Sequence, residues 1–215
     1  RHGVARINPF EVLEQHKNSV TFVQRSDENT KRDFPFDYEL KIKYTINGDT
    51  VTNEYIVTNT GEDKLPFVIG GHPAFNCPLA KGEKFEDYKV VFDKNITKPC
   101  LRPNHHTGLV NVFEKFDEMH GGDTLSLVHE LFEEKDALIF ENCEAKSATL
   151  IGKSGKGVKI EFQDMNNLLI WSAVGNAPFV ALEPWTGLAS CNDEDGLFEH
   201  KRGMTVLEKD ETASF

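Results

Sequence analysis

Several features that mark secreted, redox-active or membrane proteins are scarce in this sequence. Its 215 residues include four cysteines, Cys77, Cys100, Cys143 and Cys191, which are widely spaced and form no Cys-x-x-Cys motif. This spacing argues against a zinc knuckle or a disulfide framework, so four free thiols are expected. No apolar run approaches the roughly 20 residues that cross a bilayer, and the first residues contain no signal-peptide core. The sequence therefore predicts a soluble, cytoplasmic protein.

Positive charge is also scarce. Lysine and arginine number 24 against 35 acidic residues, which leaves a formal net charge of −11. Such a charge repels phosphate backbones and anionic lipid surfaces, so neither nucleic acid nor a membrane is a predicted partner. The sequence also lacks a phosphate-cradling loop, a dinucleotide fingerprint and the metal-binding spacing His-x-His. No cofactor and no metal are predicted.

Long stretches of helical periodicity are missing, and short β-type runs take their place. Residues 36–46 alternate between apolar and polar side chains, Asn47-Gly48 is a strong hairpin signal, and residues 50–58 return as the partner strand. Single helical turns are predicted within 26–33 and 127–132, and residues 98–104 are predicted to be loop. This pattern predicts an all-β, antiparallel sandwich or barrel that forms one domain over residues 1–215. The other predicted strands are 10–15, 19–24, 65–69, 85–92, 108–113, 137–140, 147–151, 158–162, 168–172 and 205–207.

One histidine lies in an unusual setting, within residues 69–78. Paired glycines and two prolines surround His72, and Pro73 biases it towards extended geometry, so the imidazole is expected at a rigid bend. A histidine in a turn is more often a surface or hydrogen-bonded residue than a catalyst. Both interpretations stay open on this stretch alone.

A second stretch, residues 177–187, places a carboxylate among apolar residues. Glu183 ends an apolar run and is followed by Pro184 and Trp185. Carboxylates rarely occupy such surroundings unless they are paired or used. A histidine with a pKa of about 6.5 can donate a proton at neutral pH, and an ionised glutamate can accept one. Trp185, with Phe75 and Trp171 elsewhere in the chain, offers aromatic faces for the C–H surface of a sugar, although core packing explains the tryptophans equally well.

Two further groups are candidates for ligand contacts. His2 and Arg6 are expected on one side of an extended segment, where they could hydrogen-bond sugar hydroxyls, although terminal residues are often merely solvated. Asp136 precedes the predicted strand 137–140 and could cap the start of that strand. As an isolated carboxylate it would otherwise be a surface residue.

Three motifs together resemble the aldose 1-epimerase family, the galactose mutarotase-like proteins. They are residues 70–76, 178–187 and 2–6, and their order and spacing are similar to those of the shorter bacterial branch. The resemblance implies a large antiparallel β-sandwich, the galactose mutarotase-like supersandwich, with an open cleft on one sheet. It also implies that a free hexose such as glucose or galactose binds there and that its α and β anomers are interconverted.

The resemblance also implies roles for single residues. His72 matches the general acid that protonates the ring oxygen, and Glu183 matches the base that removes the proton of the C1 hydroxyl. The two are expected to face each other across a cleft one pyranose wide. The residues matched to sugar contacts are His2, Arg6, Asp136, Asn76 and Trp185.

The sequence departs from the family pattern at both ends. The family has further strands and a sugar-contacting arginine upstream of the motif at residues 2–6, and a last strand downstream, so the domain is expected to lack these strands. A catalytically weak carbohydrate-binding or regulatory module of the same fold is therefore the alternative function. A cupin-like metal enzyme with His2, His72 and Glu183 as ligands is a third interpretation, and sugar phosphates are a less favoured substrate class.

Overall fold

The computed structural model describes residues 2–104, 106–133 and 136–215. Strands form 43% of it and helices 8%, and every sheet is antiparallel, so the prediction of an all-β fold is confirmed. Among the described residues, no helix is long and apolar enough to span a membrane. The helices are α1 (Thr30–Asp33) and α2 (Glu130–Glu133), with 3-10 turns at Val4–Arg6, Phe85–Asp87 and Phe198–His200.

The strands lie close to the predicted positions, with a few additions. They are β1 (Glu11–Gln15), β2 (Ser19–Arg25), β3 (Tyr38–Asn47), β4 (Thr50–Asn59), β5 (Leu65–Phe67), β6 (Ala74–Asn76), β7 (Tyr88–Phe92), β8 (Cys100–Pro103), β9 (Val110–Phe116), β10 (Thr124–Ser126), β11 (Leu138–Phe140), β12 (Ser147–Gly152), β13 (Gly157–Glu161), β14 (Asn167–Trp171), β15 (Phe179–Trp185), β16 (Thr205–Leu207) and β17 (Thr212–Ser214).

The chain divides into two compact units, and the prediction of a single domain over residues 1–215 stays a prediction. The first unit contains the chain up to Phe67 together with Thr205–Phe215. Its sheets have the strand orders β1-β2-β3-β4-β17 and β16-β5. The predicted hairpin is confirmed, because Asn47 pairs with Thr50 and the intervening Gly48 has a φ of +63°.

The second unit, Val68–Met204, contains two larger sheets. Their strand orders are β10-β7-β12-β13 and β6-β15-β14-β11-β8-β9. Phe92 of β7 meets Phe140 of β11 edge-on, with ring centroids 5.3 Å apart. Neighbouring positions on the same face of the six-stranded sheet, such as Leu168 and Ile170, have no exposed surface. The packing within this unit is that of an antiparallel sandwich.

The other face of the six-stranded sheet carries a second apolar cluster. Side chains alternate between the faces of a strand, so Leu101, Ile139 and Leu169 form one row across β8, β11 and β14. Leu188 and Cys191, from the loop after β15, pack against this row. This face of the sheet is therefore apolar, and the loop after β15 covers part of it.

Three local expectations were wrong, each because of long-range pairing or local hydrogen bonds. The predicted loop at 98–104 contains β8, which pairs with β9 and β11. The segment expected to be extended at 2–6 forms a 3-10 turn, where the Arg6 N–H donates to the Gly3 carbonyl at 3.3 Å. At His72 the expected bend was wrong, but the extended geometry that Pro73 favours is confirmed, because the segment runs alongside β15.

The prediction of free cysteines is confirmed, and all four thiols are buried.

The pairing beside β15 leads to the first testable prediction. Gly70 forms a bridge with Trp185, and a Cβ at Gly70 would lie 2.3 Å from the indole Cδ1 and 2.9 Å from the Pro184 carbonyl oxygen. Gly70→Ala must displace one of them, so we expect it to lower the free energy of unfolding by about 1–3 kcal/mol. Denaturant unfolding measures this change.

Gly3→Ala is the matched control. A Cβ at Gly3 meets nothing within 4 Å and its φ of −82° suits alanine, so this variant should unfold close to the wild type. Equal losses in the two variants would contradict the role given to the Gly70 contact.

Candidate functional site

His72 and Glu183 form a cross-strand pair. Strand β6 and the residues that precede it run antiparallel to β15 in one unbroken register, from Gly70 beside Trp185 to Asn76 at the other end. In this register His72 lies directly opposite Glu183. Two motifs that are far apart in the sequence therefore lie on adjacent strands.

Backbone hydrogen bonds on either side define the type of this pair. The Gly71 N–H donates to the Pro184 carbonyl and the Leu182 N–H donates to the Pro73 carbonyl, both at 3.0 Å. The residues between them form a non-hydrogen-bonded pair, the type in which opposite side chains come closest. Each proline also lacks an N–H, so each flanking pair makes one hydrogen bond instead of two.

The two candidate side chains are in direct contact. His72 Nε2 lies 3.3 Å from Glu183 Oε1. The imidazole is 41% exposed and the carboxylate 3%, so the histidine faces solvent and the glutamate lies beneath it. The expected gap of one pyranose width between the two groups was wrong.

Burial changes the acidity of the glutamate. Removal from water raises the pKa of Glu183 from 4.5 to about 8, and the negative charge of Asp136 contributes to this rise. The neighbouring strand presents Leu169 opposite Glu183, so this side of the carboxylate has an apolar neighbour. Burial disfavours the charged form because an apolar environment solvates it poorly. Glu183 is therefore a much weaker acid than an ordinary glutamate.

Asp136 is half-buried and directly precedes the short segment that leads into β11. Its φ of +58° lies in the left-handed region, and its N–H donates to the Phe132 carbonyl at 3.2 Å. The structure thus holds it close enough to influence the charge of Glu183. Its proposed contact with sugar hydroxyls stays a prediction.

The two tryptophans occupy different positions around this pair. The Trp185 indole N–H donates to the Gly71 carbonyl at 3.2 Å, which ties the indole to the backbone beside His72. The Trp171 ring meets the His72 ring almost perpendicularly, at 88°, with centroids 5.9 Å apart. Phe179 supports Trp171 from the other side at 5.5 Å. The sequence offers Trp171, with Phe75 and Trp185, as an aromatic face for a sugar, and the pairing of its strand with β15 brings it to His72.

The remaining predicted site residues lie in different parts of the chain. Asn76 is exposed and shares the face of His72, because the two are four residues apart on one extended segment. His2 and Arg6 are exposed and belong to the first compact unit, so their participation stays a prediction. Within the described ranges, no three His, Cys, Asp or Glu side chains are grouped as metal ligands would be.

Comparison with known proteins gives related sequences over nearly the whole chain. The plasmid-encoded protein LacX of Lactococcus lactis subsp. lactis is 37% identical over 211 residues, which cover 96% of this chain and 70% of LacX. The chromosomal LacX protein of the same organism shows the same identity and coverage.

A solved structure with the same fold is a galactose mutarotase related enzyme from Lactobacillus acidophilus, with a TM-score of 0.89 at 28% identity. The match covers 100% of this chain and 71% of that one. A galactose mutarotase-like protein from Lactobacillus casei ATCC 334 gives a TM-score of 0.85 at 30% identity, over 100% of this chain and 73% of that one. These matches confirm the galactose mutarotase-like fold.

The sequence profile of one family, described as aldose 1-epimerase, matches residues 1–212. With the related sequences and structures, this match shows that the chain belongs to the aldose 1-epimerase family.

Proposed function

We propose that this protein is an aldose 1-epimerase that interconverts the α and β anomers of a free hexose. Family membership supports an isomerase that acts on a sugar. The observation that carries the proposal is the contact between an exposed imidazole and a buried carboxylate whose pKa is raised to about 8. A donor and an acceptor of protons meet at one point of the surface, as ring opening of a sugar requires.

The reaction needs two proton transfers at one carbon. The C1 hydroxyl loses its proton to Glu183, the bond between C1 and the ring oxygen breaks, and that oxygen takes a proton from His72. The product is an open-chain aldehyde, and rotation about the C1–C2 bond exposes the other face of its carbonyl. The same groups then run in reverse: the neutral histidine takes back the proton, and the protonated glutamate returns its own to the new C1 hydroxyl.

Direct contact between the two groups suits this chemistry. The C1 hydroxyl oxygen and the ring oxygen are bonded to the same carbon, so they are close neighbours in the substrate. A donor and an acceptor 3.3 Å apart can therefore address both oxygens, and a gap of one pyranose width is unnecessary. Each positioned proton-transfer group typically contributes about 10²–10⁴-fold to the rate.

The raised pKa of Glu183 serves the same purpose. A general base works best when its pKa is close to the working pH, because it is then both a strong proton acceptor and sufficiently ionised. Burial and the charge of Asp136 move the pKa of Glu183 from 4.5 to about 8, into this range. We assign to Asp136 the tuning of the base in addition to hydroxyl binding.

The other predicted contacts complete the proposed site. His2, Arg6 and Asn76 bind sugar hydroxyls, and an aromatic side chain beside His72 contributes a surface for the C–H groups of the sugar. The ligand is a hexose such as glucose or galactose, and neither nucleic acid nor a membrane is a proposed partner. The cytoplasmic location stays a prediction.

A sugar-binding or regulatory module is the second candidate. It is favoured by the burial of Glu183, because a carboxylate that is 3% exposed beneath the imidazole is less accessible to a bound sugar than His72 is. Turnover measurements on the wild type distinguish the two candidates.

The first prediction from this proposal concerns the catalytic pair. We expect His72→Asn and Glu183→Gln each to slow the mutarotation of freshly dissolved α-glucose or α-galactose at least about 100-fold relative to the wild type. Polarimetry follows the reaction, and calorimetric titration follows sugar binding.

Exposed residues of the same types are the controls. His120→Asn removes an 85% exposed imidazole, and asparagine tolerates the local φ of 49°, so the rate should not change. Glu114→Gln on β9 should also be silent, because Glu114 is exposed. Sugar binding by a wild type that does not accelerate mutarotation would favour the module.

The second prediction concerns pH. Glu183 must be ionised to act, so the pH profile of kcat/KM, which reports the protein without sugar, should have a limb near pH 8 that belongs to Glu183. Asp136→Asn removes a negative charge that raises the pKa of Glu183, so this limb of the profile should move to lower pH. Asp164→Asn, at an exposed position, should leave the limb in place. A limb that Asp136→Asn leaves unmoved would refute the assigned tuning.

The third prediction concerns stability. Between pH 4.5 and about 8 the folded protein keeps the Glu183 proton that the unfolded chain loses, so wild-type stability should fall as the pH rises through this window. Glu183→Gln cannot ionise, and at pH 8 it should be more stable than the wild type by about 1 kcal/mol or more. Denaturant unfolding across this range tests the difference, and a gap that does not change with pH would contradict it.

A further inference from the structure

We infer that Trp171, rather than Trp185, forms the aromatic surface against which the sugar lies, and that Trp185 supports the backbone that carries His72. This inference rests on the proposed site and adds a residue to it. It also gives separate roles to the only two tryptophans of the chain.

A row of small and aromatic side chains lies next to the catalytic pair. One step along the strands from His72 and Glu183, the register places Ala74, Ala181 and Trp171 side by side on β6, β15 and β14. Two methyl groups and one indole therefore form this row. The small residues leave space above the sheet that the indole can occupy or border.

Ring contacts show where the indole lies. Trp171 starts on β14, but its ring is 5.9 Å from His72, on the far side of β15, and 5.5 Å from Phe179 on β15 itself. Ala181 lies between these contacts and has no exposed surface, although its methyl group shares the face of the exposed His72. The indole therefore extends across β15 above Ala181. A larger residue at 181 would block this position.

The indole N–H groups of the two tryptophans also differ in their hydrogen bonding. The Trp185 N–H is used by the Gly71 carbonyl, and a Cβ on Gly70 would collide with the Trp185 ring. Trp185 is thus held against the backbone next to His72. The Trp171 N–H makes no hydrogen bond to any residue in the described part of the chain, and the side chain is partly exposed. It can donate to a ligand hydroxyl.

Sugar chemistry connects these observations. A pyranose has C–H groups that pack on aromatic rings and hydroxyls that accept hydrogen bonds, and an indole offers a surface for the former and a donor for the latter. A ring oxygen that receives its proton from His72 brings the adjoining C–H groups next to the perpendicular indole. Trp171 therefore selects ligands that present an apolar C–H edge beside the ring oxygen.

Intrinsic fluorescence tests the inference because each tryptophan can be made the only one. In Trp185→Phe the emission comes from Trp171, and titration with glucose or galactose should change it saturably. In Trp171→Phe the emission comes from Trp185 and should change little. A saturable change from Trp185 alone would overturn the inference.

Steady-state mutarotation kinetics supply a second measurement. Trp171→Ala should raise KM about ten-fold with a smaller effect on kcat, because it removes binding surface and leaves both proton-transfer groups. Trp171→Phe keeps a ring and should recover most of the affinity. An unchanged KM in Trp171→Ala would also overturn the inference.

A third measurement works in the wild type and covers the case in which a tryptophan variant does not fold. The indole N–H resonances of ¹⁵N-labelled protein can be followed during a sugar titration. The N–H held by Gly71 is the more protected against exchange, which assigns the two signals. The Trp171 signal should shift and the Trp185 signal should stay. Saturable binding at Trp171 without mutarotation would refute the proposed function and leave this inference standing.

Discussion

The structure depends on the antiparallel pairing of residues 70–76 with β15. This pairing brings His72 opposite Glu183 in a non-hydrogen-bonded pair and so places an imidazole and a carboxylate 3.3 Å apart. Glycine is required at position 70 because Trp185 and the Pro184 carbonyl approach closely. The prolines of the two motifs lie in the flanking pairs, where each pair keeps one of its two hydrogen bonds through the proline carbonyl. Motif residues that are far apart in the sequence thus form one pair of adjacent strands.

The site combines an apolar sheet with one buried carboxylate, Glu183, whose ionised form is unfavourable there. The row Leu101, Ile139 and Leu169 continues into Glu183, so a carboxylate occupies a position that packing alone would give to an aliphatic residue. The same burial that makes its ionisation costly raises its pKa to about 8 and makes it a strong base. In the proposed reaction, the exposure of His72 above it gives the sugar access to the proton donor. Stability and reactivity therefore oppose each other at this residue.

The prediction from the sequence was most accurate where local patterns decide structure. Alternation and turn residues located the hairpin at Gly48, most strands and the all-β class, and the three motifs identified the family. It failed at β8, whose proline-rich sequence carries no strand pattern and which is ordered by its neighbours β9 and β11. It also failed at residues 2–6, where local hydrogen bonds form a turn instead of an extended segment.

The sequence by itself determined which chemical groups are present: an imidazole beside glycine and proline, a carboxylate at the end of an apolar run, and two indoles. Only the tertiary structure decided their distances and acidities, because register between strands is a long-range property. It placed His72 in contact with Glu183 rather than one sugar ring away. It also set Trp171 against His72 and tied the Trp185 indole to the Gly71 carbonyl. Both contacts join residues that are distant in the sequence, so the sequence alone could not predict them.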